Sequence, residues 1–153
     1  MVTNTKLGRK NRQCGHAVVE VALMAPWIFL LFIGILDFGF YAYSAISVEN
    51  AARAAALYTS SDPTSVSDSA GACVYALHEL QNAANIGSTA TCDSSGNIKA
   101  SNKTIATITA AKASVAATDD ASQVTVTYKS PGMIAIPWLP GVYNITRIVT
   151  MRQ

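Results

Sequence analysis

Between Val21 and Leu36 the chain runs for sixteen residues without a formal charge. A segment of that composition has no stable place in water. It must be buried in a protein core, in a lipid bilayer or against other helices. Two features beside it narrow the choice. Residues 1–15 ahead of it hold four cations and no acid, namely Lys6, Arg9, Lys10 and Arg12. A single carboxylate, Glu20, stands at its lip. An ionised carboxylate at a bilayer centre costs about 2.5–3.5 kcal/mol on insertion scales, so an acid kept at this position calls for a function.

The cations ahead of the run give topology. Residues 1–15 carry four positive charges, whereas the other residues hold seven cations and nine acids. Cations packed before an apolar span mark the cytoplasmic side. The expected arrangement is a cytoplasmic N-terminus, a single crossing, and the bulk of the chain on the far side of the membrane. A nucleic-acid binder needs its basic residues spread over a folded face, and this pattern excludes one.

The chain has three cysteines. Cys14 lies in the basic leader. Cys73 and Cys92 lie in the exported part, where an oxidising compartment permits a disulfide between them. The alternative is a pair of free buried thiols.

Composition divides the chain into a basic leader over residues 1–15, a long helix over 16–58 and a small α+β domain over 59–153. The helix would extend about 64 Å at 1.5 Å per residue, far beyond the roughly 20 residues that cross a bilayer. Pro26 lies inside it and predicts a kink or a local melt, because it lacks an N–H and crowds the Ala22 carbonyl. The stretch SVENAARAAALY, residues 47–58, is alanine-rich. Its smooth surface suits close packing, either on other helices or on the chain's own domain. Glu49 and Arg53 stand four apart with the acid first, the favoured order on a helix face.

Residues 60–69 read as a polar break and 70–85 as a second helix with Cys73, Val74, Leu77 and Leu80 along one stripe. Residues 86–97 read as loop. The C-terminal third alternates like an antiparallel sheet, with strands expected at Ala111 to Ala116, Gln123 to Lys129 and Tyr143 to Met151, and a turn at 118–122. Val124, Val126 and Tyr128 share one face. Residues 130–141, SPGMIAIPWLPG, form a connection able to present an apolar surface.

No catalytic constellation is present, and no motif for a metal, cofactor or phosphate. His78 reads as a solvated surface residue, and Asp119 and Asp120 as turn residues. Asn102 and Asn144 each begin an N-x-T triplet, a pattern too common to decide anything. The expectation is a protein without enzymatic activity, metal or cofactor.

The leader reads as a processing substrate. Gly15 is followed at once by the apolar helix, and Glu20 is the fifth residue of the chain that would start at His16. The other glycine, Gly8, places Gln13 fifth and has no apolar run directly behind it. The segment HAVVEVALMAPWIFLLFIGILDFGF resembles the N-terminal part of TadE-like pseudopilins of the Tad pilus apparatus, themselves type IV pilin-like. The matching positions are Val19-Glu20, Ala22-Leu23, Pro26, the run Ile28 to Ile33, and Gly34-Ile35-Leu36-Asp37-Phe38-Gly39. NAARAAALY continues the likeness, which covers about residues 14–58. Two positions depart from the family pattern: Cys14 replaces the common arginine before the cleaved glycine, and Val21 a frequent phenylalanine after the acid.

The resemblance implies cleavage between Gly15 and His16 by a prepilin peptidase, with Glu20 pairing the new α-amine of its own chain or a neighbour's; the alternative is an interfacial acid that sits near the headgroups. It implies a structural role, with other pilins, the peptidase and an inner-membrane assembly platform as partners. Asp37, about 32 Å along the helix from His16, is expected at the outer interface. Two rivals remain: an uncleaved single-pass anchor with a binding head, and a secreted protein with a cleaved signal peptide.

Overall fold

A computed structural model describes residues 14–83, 85–116, 119–132 and 141–152. The leader before residue 14, the expected turn at its residues 117 and 118, and residues 133–140 lie outside the described residues. Two helices and five strands are present in the order α1 (Cys14–Ser60), α2 (Ser69–Leu80), β1 (Thr91–Cys92), β2 (Asn97–Ala100), β3 (Lys103–Ala116), β4 (Asp119–Pro131) and β5 (Val142–Arg152). The strands form one antiparallel sheet in the order β1-β2-β3-β4-β5, a meander in which every neighbour in sequence is a neighbour in space. The class is α+β, with a long apolar helix at the N-terminus.

The chain forms two compact units, Met1–Leu36 and Asp37–Gln153. In the first, α1 runs as unbroken helix through Pro26; the local melt that proline allows is not seen. From His16 to Leu36 its side chains are exposed or partly exposed all round.

The second unit contains the core. The α1 positions Ser44, Val48, Ala51, Ala52, Ala55, Ala56 and Thr59 recur at three- and four-residue spacing and are buried. Their partners are the inward residues of the sheet, Ile108, Val124, Val126, Tyr128 and Ile145, together with Ala72, Cys73, Ala76 and Leu80 of α2. The alanines thus serve the chain's own domain. Two hydroxyl contacts fix the direction of packing: Ser130 of β4 donates to Ser44 at 3.4 Å, and Ser122 of β4 donates to Thr59. The helix segment from 44 to 59 is about 22 Å long and the strand segment from 130 to 122 about 26 Å. The helix therefore lies nearly along β4, antiparallel to it. Small alanine side chains line that face of the helix, while Val124, Val126 and Tyr128 fill the space between, on the face the alternation gives them.

Several boundaries differ from those the sequence suggests. The second helix ends at Leu80, not near residue 85. Residues 91–92 and 97, read as loop, lie in strands, and β2 continues over 98–100, where no element was expected. β3 starts at Lys103, eight residues earlier than expected. Residues 119–122, read as turn, are already in β4. The β2–β3 hairpin turns at Ser101 and Asn102, both with positive φ (50° and 62°), the geometry of a two-residue type I′ turn whose twist matches that of the flanking strands.

Candidate assembly segment

In the first unit, the sequence from His16 to Leu36 builds a helix with no apolar partner among the described residues. Leucine, alanine, methionine and isoleucine sustain the helix, and Pro26 is carried within it. Over its most apolar 18-residue stretch the mean hydropathy is 2.3 and none of that surface is buried. Trp27, Phe29, Leu31 and Phe32 all stand exposed, Trp27 at 74%. Among the described residues α1 is the one helix long and apolar enough to cross a membrane. A Cβ built on Gly34 would meet nothing within 4 Å, so this chain's own packing does not require glycine there. A bare backbone position of that kind permits close approach of a second helix.

The polar lip of the segment is a pair. His16 Nε2 lies 3.6 Å from Glu20 Oε1, one helical turn away, with the side chains 84% and 67% exposed. Gly15 is helical and immediately precedes them. Thus the residues expected to carry processing lie together at the start of α1, with the carboxylate one turn from the residue whose nitrogen a cut after Gly15 would free. The side chain of Cys14 lies outside the described residues.

In the second unit the structure brings Cys73 of α2 and Cys92 of β1 to bonding distance, with Cα atoms 6.0 Å apart. They tie the helix to the edge of the sheet. Glu49 and Arg53 pair as their spacing predicts, at 3.1 Å, and Arg147 of β5 approaches the other Glu49 oxygen at 3.5 Å. That contact accounts for an arginine on the inward-facing alternation of β5: its charge meets an acid on the helix above. His78 is exposed in the last turn of α2. Among the described residues no group of three His, Cys, Asp or Glu side chains is placed to hold a metal ion.

Sequence reasoning missed two polar clusters. Asp68 caps α2, accepting from the Gly71 N–H at 2.9 Å and from the Tyr58 hydroxyl at 2.8 Å. Both donors hold its carboxyl below the usual carboxylate range, Gly71 most strongly. Tyr58 in turn stacks on Tyr75, ring centroids 4.7 Å apart. The signal was present: an aspartate directly before a helix is a preferred cap. The second cluster centres on Asp93, which accepts from the Asn97 N–H at 2.8 Å and from Lys99 at 2.9 Å. These contacts hold the β1–β2 turn.

Residues 15–57 match the family model described as TadE-like protein. The match coincides with the apolar segment and the alanine-rich continuation of α1, and the resemblance read from the motifs stands over that stretch. No curated protein and no solved structure matches the chain.

Proposed function

We propose that this chain is a TadE-like minor pilin or pseudopilin, a structural component of Tad-type pilus assembly and not an enzyme. The observation that carries the reading is the TadE-like match over a helix whose apolar surface is open on every side. Such a helix needs lipid before assembly and neighbouring helices after it.

In this reading the leader is removed by prepilin peptidase between Gly15 and His16. The peptide bond to Gly15 breaks with addition of water, and the His16 nitrogen becomes an ammonium at the helix start. Glu20, one turn away, pairs with that cation, on its own chain or on a neighbour during assembly. Pairing offsets part of the desolvation cost of both charges. The helix holds the protein in the inner membrane with the head in the periplasm, then packs against other pilins on the assembly platform. The family match and the position of Glu20 beside residue 16 support this sequence of events.

Mass spectrometry of protein from its native host tests the processing step. A chain that starts at His16 is expected; an intact Met1 start favours the second reading, an uncleaved single-pass anchor with a binding head. The role of Glu20 is tested by Glu20→Gln and Glu20→Leu. Both should be cleaved yet strongly reduced in assembled filaments, and normal assembly of both would remove the pairing.

A further inference from the structure

Within the Asp37–Gln153 unit, α1 has an outer face as well as the inner one that meets the sheet. Val48, Ala51, Ala52 and Ala55 face inward and are buried. On the opposite side of the same turns stand Gly39, Tyr43, Ile46, Asn50, Arg53 and Leu57, all exposed. Tyr43 is 53% open, Ile46 62% and Leu57 61%. Along the chain these six follow one another at steps of four, three, four, three and four. That is the seven-residue repeat by which one helix meets another, with Gly39, Ile46 and Arg53 at one core position and Tyr43, Asn50 and Leu57 at the other. The row runs about 27 Å along the helix. A Cβ built on Gly39 would meet nothing within 4 Å, so the backbone there is open to a close neighbour. Exposed apolar side chains elsewhere on the head lack this order; Ile148, for example, has Thr146 and Thr150 as its neighbours on the same face of β5.

We infer that this row is where a second copy of the chain docks, α1 against α1, parallel and in register. The inference deepens the proposed assembly role and rests on it for one condition, that copies share a membrane with α1 running the same way. Three observations select a second copy. A repeat of seven is matched by a helix with the same repeat, and the chain itself supplies one. A two-fold pair of parallel helices sets each residue of the row beside its own counterpart, so Ile46 on Ile46 and Leu57 on Leu57 take exposed apolar surface out of water. The charge of the row is balanced within each copy, since Glu49 lies 3.1 Å from Arg53 and is held from the sheet by Arg147 at 3.5 Å. Two copies therefore meet without net repulsion. Asn50 then has a role. In the parallel pair its amide enters the space beside Glu49 and Arg53 of the second copy, where it finds an acceptor and a donor. A single amide at such a core position fixes register and the number of helices, at a cost in strength.

The test uses the full chain with Cys14→Ser and the Cys73–Cys92 pair left oxidised. One new cysteine is added per variant, and native membranes are treated with a short bifunctional thiol reagent. Ile46→Cys and Leu57→Cys should each link to themselves as a dimer, because a parallel two-fold row sets the same residue of both copies face to face. Thr150→Cys, exposed on β5, should not. No dimer at 46 and 57, or dimer at all three sites alike, overturns the inference. A second measurement keeps the fold intact. Ile46→Lys with Leu57→Glu suits each helix by itself, since position 46 then lies near Glu49 and position 57 near Arg53, but it sets like charges opposite one another in a pair. In that background the dimer linked through Tyr43→Cys should fall by at least about tenfold, with the thermal midpoint unchanged. An undiminished dimer counts against the row. The links do not depend on cleavage. Chains that start at His16 without a dimer at 46 or 57 sink the inference and leave the pilin reading; dimers from chains that start at Met1 do the reverse.

Discussion

Asp93 is a partly buried residue whose energetic role comes from its hydrogen bonds. The Asn97 N–H, Lys99 and the Asn97 side chain all donate to it and hold its carboxyl far below the usual carboxylate range. Asp68 is lowered in the same direction by Gly71 and Tyr58. A carboxylate whose folded-state pKa is depressed stabilises the fold fully above its unfolded value, near 4, because the unfolded chain takes up protons first. That contribution then drains away as pH falls through the folded-state values. The thermal midpoint of the full chain in detergent should therefore be flat from neutral pH to about pH 5 and fall below about pH 4. Asp93→Asn should make that acid limb shallower, and an unchanged limb would show that the turn does not contribute. Asp68→Ala should cost about 1 kcal/mol through loss of the cap, read in the same melts.

At the scale of elements, the tightest constraints lie where backbones approach. Gly96 has φ of 77°, and a Cβ built on it would lie 2.3 Å from the Ile108 carbonyl oxygen. Ile108 also donates its N–H to the Gly96 carbonyl at 2.8 Å, so the β1–β2 turn cannot retreat from β3 without losing that bond. Gly96→Ala should destabilise by more than the roughly 1 kcal/mol of an ordinary glycine substitution. The helix–sheet contact makes a similar demand. Ala55 is fully buried, and Ala55→Leu should cost about 1–3 kcal/mol by overpacking, whereas Ala54→Leu, on the partly open side, should stay within about 0.5 kcal/mol. Equal effects at 54 and 55 would mean that α1 does not dock through this face. Replacing both Cys73 and Cys92 by serine should cost about 3 kcal/mol on the chain-entropy model.

These contacts also explain which elements the sequence reveals. Strand β4 and its inward face of Val124, Val126 and Tyr128 follow from strict alternation, and α1 from its unbroken apolar and alanine-rich composition. The first half of β3 is harder to see. Ile105 and Ala106 are both buried, which breaks the period of two, and the inward alanines 106 and 110 have little strand character. β1 and β2 are two and four residues long and are set in Ser, Asp, Asn and Gly, so their identity comes from the sheet they extend and the Cys73 link. At the start of α1 the His16–Glu20 spacing was readable because a single helix turn determines it. The Asp68–Tyr58 and Arg147–Glu49 contacts join residues far apart in sequence, and only the fold brings them together.

For the whole molecule, charge and redox chemistry make one argument. Four cations precede the apolar run, and the remainder of the chain carries a small excess of acid. If the leader sets orientation through its cations, the head reaches an oxidising compartment and the Cys73–Cys92 bond can form there. Replacing Lys6, Arg9, Lys10 and Arg12 together by glutamine removes that bias while leaving the span untouched. Orientation should then become mixed. A C-terminal reporter enzyme active only outside the cytoplasm should lose a large share of its activity. In the same cells, the fraction of chains whose Cys73 and Cys92 react with a thiol-alkylating reagent should rise in step, because heads retained in the cytoplasm stay reduced. The two readouts are independent in chemistry, one reporting where the C-terminus lies and the other the redox state around the head. If reporter activity fell while both cysteines stayed bonded, compartment and disulfide would be uncoupled; if neither changed, the leader's charge would serve only the peptidase and not topology.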